Sequence, residues 1–86
     1  IVLADNRWHA GVIGIVASRL VEMFHRPTVL IALDNGVGKG SARSIAGFHL
    51  YQAFQHCAED LSGFGGHEYA AGLTIAADAV SNFRSQ

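Results

Sequence analysis

Hydrophobic residues change their spacing several times along this chain, and each change marks an element. Ile1-Val2-Leu3-Ala4 is a short apolar run closed by Asp5-Asn6, the pattern of a strand. From Val12 onward the apolar residues Val12, Ile13, Val16, Leu20, Val21 and Phe24 recur at helical spacing. Arg19, Glu22 and His25 fall off that stripe, and Pro27 disfavours helical geometry at Arg26, so a helix over 12–24 is predicted to stop there. Thr28 to Leu33 is uninterrupted and rich in β-branched residues, as in a strand covered on both faces. Asn35-Gly36 supplies the positive-φ pair of a tight hairpin turn, so Val37 to Ile45 should return antiparallel. A second helix is predicted from His49 to Glu59, with Leu50, Phe54, Cys57 and Leu61 as its buried stripe. Gly63-Phe64-Gly65-Gly66-His67 reads as a glycine-rich turn, Leu73 to Ile75 as a strand, and Ser81 to Gln86 as the first turn of another helix. This order predicts an α/β fold, a small mixed β-sheet of about four to five strands with flanking helices.

The 86 residues suit one domain over 1–86, and a hydrophobic content of 50% excludes disorder. A single Cys excludes a disulfide framework and a Cys-based zinc cage, and it suits a reducing compartment. The apolar runs are short and broken by Gly or charge, so no membrane partner is expected; nor is a signal peptide. The chain opens on Ile1 and its only Met is Met23, so a piece of a longer protein is expected. Net charge is −1, which gives the domain as a whole no pull on nucleic acid. Any anion binding must therefore be local.

Strand alternation supplies such a place. In Val37 to Ser44, Lys39, Ser41 and Arg43 fall on one face, and Gly38, Gly40, Ala42 and Ser44 on the other. Arg grips a phosphate through two parallel bonds, Ser adds a third donor, and Lys a point charge. The bland alternative is an exposed hairpin edge whose Lys and Arg discourage aggregation. Gly65-Gly66-His67 is the second candidate: glycines let backbone N–H groups converge on an anion, and an imidazole stands beside them. Taken alone, the motif is more simply an ordinary glycine turn with a solvent-facing His. Trp8-His9-Ala10-Gly11, ahead of the first helix, is a weaker third, with Trp8 packing under the helix start as the simpler reading. His25, His49 and His56 lack metal-ligand spacing and read as surface residues. Asp5, Asp34, Glu59, Asp60 and Asp78 stand near element ends, where caps and turns want them.

Three segments together resemble a known family: Trp8 to Arg19, Gly38-Lys39-Gly40-Ser41-Ala42-Arg43-Ser44, and Gly65-Gly66-His67 to Ala70-Ala71-Gly72. They resemble the RecJ-type single-stranded-DNA-specific exonucleases of the DHH phosphoesterase superfamily, and the likeness covers nearly the whole chain. The segment is similar to the DHH-associated C-terminal domain that closes over the catalytic DHH domain. That resemblance implies a substrate-binding role for Ser41, Arg43, Gly65, Gly66 and His67, and a lesser one for His9, Arg19, Lys39 and Ser44. It implies no catalytic residue in this segment, with Mn2+ or Mg2+ held by the DHH domain of the same chain. No Asp-His-His triplet occurs here, so no metal site is expected in these residues. The implied activity is metal-dependent 5′-to-3′ degradation of single-stranded DNA in repair and recombination, in the bacterial cytoplasm. Two other readings use the same frame: a nucleic-acid-binding module of an alanyl-tRNA-synthetase-like protein, and a phosphodiesterase of short oligonucleotides or cyclic dinucleotides.

Overall fold

Strands β1 (Val2–Asp5) and β2 (Thr28–Asp34) run parallel, joined through helix α1 (Ile13–Phe24). A computed structural model describes residues 1–46, 48–58, 61–66 and 70–84. β3 (Val37–Arg43) returns antiparallel to β2 through Asn35-Gly36, whose φ values of 51° and 80° are the left-handed pair a two-residue turn requires. Helix α2 (Leu50–His56) follows, then β4 (Gly63–Gly66) and β5 (Ala70–Ala76), paired antiparallel, and a 3-10 turn leads into α3 (Val80–Arg84). The sheet order is β1-β2-β3-β5-β4. It is mixed, five-stranded and flanked by helices, and β3 is its centre.

Two helical layers cover the sheet unequally. On one face Val29, Ile31, Ala42, Leu73 and Ile75 pack against Leu50 and Phe54 of α2 and Phe83 of α3. Phe54 meets Phe64 and Phe83 edge-on, with ring centroids 6.1 and 6.0 Å away. On the other face Ile13 and Ala17 of α1 press on Leu30 and Ala32, with Trp8 and Leu20 alongside. β2 is thus apolar on both faces because both are covered. α1 lies over β2 and β3, whereas Gly72, Gly63 and Gly65 beyond them are exposed. Around these glycines that half of the face carries only the small side chains of Ala70, Thr74 and Ala76.

Several expectations need correction. Gly63–Gly66 is not a turn but an edge strand, its register set by β5: Gly65 opposite Gly72, Gly66 opposite Ala71. Glycines are poor strand formers, so pairing overrides propensity here. Gly66, at φ 142°, has no room for a Cβ against the Ala71 backbone. β5 begins at Ala70, three residues before the strand expected from the apolar run. α2 is shorter than predicted, with His49 outside it as its N-cap, accepting from the Gln52 N–H at 3.3 Å rather than standing free on the surface. The expected end of α2 at Glu59 lies outside the described residues, as do Asp60, Ser85 and Gln86.

The α1 stripe is also narrower than its periodicity suggests. Ile13 and Ala17 are buried, while Val12, Val16 and Phe24 are about half exposed, at 50%, 45% and 52%. A helix crossing a flat sheet touches it along one i, i+4 row, and the next row faces outward. The helix ends on His25, left-handed at φ 54°, whose N–H bonds the Val21 carbonyl at 2.8 Å. The small face of β3 is packed. Gly38, Gly40 and Ala42 are buried, and the side chains of Ile31, Leu73 and Ile75 fill the space above the two glycines. The edge-strand reading of β3 falls with that observation.

Candidate functional site

Residues directly opposite in a sheet share a face, so the register places Lys39, Ser41 and Arg43 under α1. Ser41 lies between Leu30 and Gly72, and Arg43 between Thr28 and Ala70. The Arg43 side chain turns back along its own strand: Nη1 donates to the Ala42 carbonyl at 2.8 Å. Its other end, Nη2, reaches under the first turn of α1, only 2.8 Å from where a Cβ on Gly14 would stand; Ser41 Oγ lies 3.6 Å from the same point. A guanidinium and a hydroxyl therefore converge, both half-buried, at the foot of a helix.

Nothing described neutralises this cluster. Among the described residues the ion pair found is Asp5 with Arg7, and no carboxylate reaches Arg43 or Lys39. The N-cap of α1, Val12, has no side-chain hydrogen bond, and its first turn holds no acidic residue. The positive end of the helix dipole thus adds to the charge of Arg43. Outward from Ser41 along the same row come Gly72 and Gly65, where a Cβ at Gly65 would meet nothing within 4 Å. The donors stand at the inner border of a flat glycine shelf, open to an anionic ligand laid across the sheet.

The other candidate residues are distributed less simply. Gly65 and Gly66 lie on β4, at the outer edge of the shelf; His67, next in sequence, lies outside the described residues. His9 is exposed, and its Nδ1 accepts from the Gly11 N–H at 3.0 Å, which leaves hydrogen on Nε2 in the neutral ring. Arg19 is exposed on α1, two residues past buried Ala17 and hence turned away from the sheet. Ser44 is occupied elsewhere, its hydroxyl donating to the Phe48 carbonyl at 3.0 Å in the loop before α2.

Two features escaped the sequence reading. Gly14 is one, although a glycine inside a helical pattern, unfavourable by about 1 kcal/mol against Ala, is a signal for close packing. The other is a fork after β1. Asp5 Oδ1 accepts from the Arg7 backbone N–H at 2.8 Å and from Nε at 3.0 Å, and Oδ2 accepts from Nη2 at 2.7 Å. Those bonds, the side-chain ones foremost, hold the Asp5 carboxyl down at about 2. Among the described residues no group of three or more His, Cys, Asp or Glu gathers as a metal site. No described helix is long and apolar enough to cross a membrane.

Residues 1–86 match the DHHA1 domain throughout. The chain belongs to the DHHA1 domain family. This DHHA1 domain is 48% identical over 88 residues to the single-stranded-DNA-specific exonuclease RecJ of Bacillus subtilis, covering all of this chain and 11% of that protein. RecJ of Thermus thermophilus in complex with Mg2+ superposes with a TM-score of 0.90 at 39% identity, over 99% of this chain and 13% of that one. This DHHA1 domain thus spans 11% to 16% of the length of the curated relatives it matches. The C-Ala domain of Aquifex aeolicus alanyl-tRNA synthetase superposes with a TM-score of 0.72 over 99% of this chain and 85% of its own, at 11% identity. That likeness is one of fold alone.

Proposed function

We propose that this DHHA1 domain holds the substrate of a metal-dependent exonuclease that degrades single-stranded DNA from the 5′ end in repair and recombination. The observation that carries the reading is the Arg43 guanidinium, without a carboxylate partner among the described residues, beside Ser41 under α1. Arg43 and Ser41 bind a backbone phosphate, the guanidinium through two parallel bonds and the hydroxyl through one. Gly65 and Gly66, followed by His67, form the outer wall of the same site. The DHH domain of the same longer chain supplies Mn2+ or Mg2+ and the water they activate. This domain contributes position and charge: it holds the strand in line and stabilises negative charge developing on the phosphate. The protein works in the bacterial cytoplasm. Its relatives, single-stranded-DNA-specific exonucleases by name, support this choice over a nucleic-acid-binding module of an alanyl-tRNA-synthetase-like protein, to which the likeness is one of fold.

Degradation of labelled single-stranded DNA by the full-length protein tests the reading. Arg43→Ala is expected to lower kcat/KM by about 30- to 150-fold, equivalent to about 2 to 3 kcal/mol for a lost charge-assisted contact. A change below twofold overturns it.

A further inference from the structure

Two hollows meet at Trp8. One is apolar, about 380 Å3, between β1 and α1, with Leu3, Val12, Val16 and Leu30 in its walls. The other, about 540 Å3, opens where β1 and β2 end, and Asn6, Trp8, His9, Asp34 and Lys39 line it. Its volume lies in the range of small-ligand sites, and it stands at the carboxyl ends of two parallel strands joined through a helix, where α/β sheets bind ligands.

We propose that this polar hollow is a second nucleotide subsite, which takes the nucleotide adjoining the phosphate held by Ser41 and Arg43. The inference rests on that reading of Ser41 and Arg43. Lys39 precedes Ser41 by two residues on the same face of β3, a separation of roughly 7 Å along a strand. That step is comparable to the repeat of an extended sugar–phosphate backbone, so Lys39 meets the next phosphate as a point charge. Trp8 is half-buried: it packs against the cluster of Ile13, Ala17, Leu30 and Ala32 and borders the polar hollow as well. An aromatic wall of this kind is a platform for a base of any identity. Around it stand groups suited to a base edge: the Asn6 amide, the Asp34 carboxylate, and the Nε2–H that the Gly11 bond leaves on His9. The loop that carries Trp8 is anchored, since the fork between Asp5 and Arg7 closes the turn just before it.

The test compares two probes on the full-length protein without added metal: thymidine 5′-monophosphate and the 5′-phosphorylated thymidine dinucleotide. The wild type is expected to bind the dinucleotide on the order of tenfold tighter, as one added base–aromatic contact gives. Lys39→Gln and Trp8→Leu are each expected to bring that ratio towards one, and Arg43→Ala to weaken both probes together. If the ratio stays near tenfold in Lys39→Gln and Trp8→Leu while Arg43→Ala weakens both probes, the subsite is overturned and the phosphate site stands. If Arg43→Ala weakens neither, the phosphate site itself falls. A melting curve accompanies each variant; should Trp8→Leu fail to fold, the exposed Lys39 decides alone.

Discussion

Gly14 in α1 and Arg43 in β3 share one space: the Arg43 Nη2 stands 2.8 Å from the point where a Cβ on Gly14 would be. The helix can lie this close to the strand because Gly14 has no side chain, and the guanidinium occupies the room so created. Gly14→Ala should displace the tip of Arg43 rather than the helix, because the clash is with the far end of a flexible side chain. Alanine is the better helix former by about 1 kcal/mol, so the melting temperature should hold or rise. Affinity of the full-length protein for single-stranded DNA should fall by about 1 to 2 kcal/mol as Arg43 loses its position. A lower melting temperature with intact affinity would show that the glycine serves packing alone.

Arg43→Lys separates a planar grip from simple charge. Lysine keeps the charge but lacks the fork that bonds two oxygens at once. The variant should therefore approach Arg43→Ala in kcat/KM, at a cost of about 2 kcal/mol, while the melting curve barely moves. Full activity in Arg43→Lys would mean that charge alone is required there.

The Asp5–Arg7 fork gives a pH dependence with a definite sign. The carboxyl is held at about 2, below its ordinary 3.8, so the fork is intact above pH 4 and is lost as pH falls through 2. Arg7→Gln removes two of the three bonds and should return Asp5 towards its ordinary value. Carboxyl-carbon NMR of Asp5 in both proteins measures this, and an unchanged midpoint in the variant would disprove the fork.

Phe54→Ala probes the opposite layer. Phe54 is 3% exposed and touches the rings of Phe64 and Phe83, so truncation opens a cavity between α2, β4 and α3. Chemical denaturation should report a loss of about 3 to 5 kcal/mol. Lys39→Ala, at an exposed position of the face shared with α1, should stay within about 0.5 kcal/mol of the parent.

Much of this fold is legible from residues. Asn35-Gly36 specifies the hairpin through a backbone conformation that few other pairs adopt, and alternation along β3 separates the donor face from the small one. Less legible is what lies above that small face. Gly38 and Gly40 have no bulk of their own, yet a Cβ on Gly38 would stand 2.6 Å from Ile31 Cγ2, and one on Gly40 2.8 Å from Leu73 Cδ1. The bulk comes from neighbouring strands, which a single strand's sequence does not reveal. β4 hides for a related reason: four residues with three glycines carry no strand signal, and only β5 supplies their ladder. The donor row of the candidate site is read from local periodicity, whereas the approach of Gly14 to Arg43 depends on where a distant helix lands.

The central place of β3 also decides how the site breathes. Its backbone is laddered on both sides, to β2 and β5, whereas β1 and β4 each have a single neighbour. Amide protons of Ser41 and Arg43 are therefore expected to exchange with solvent through global opening, and those of Gly63 to Gly66 by fraying at the edge. The inner border of the shelf is thus as rigid as the whole domain, and the outer border yields at small cost. Slow exchange at Ser41 and Arg43 beside fast exchange along β4 would mark one fixed border and one compliant border.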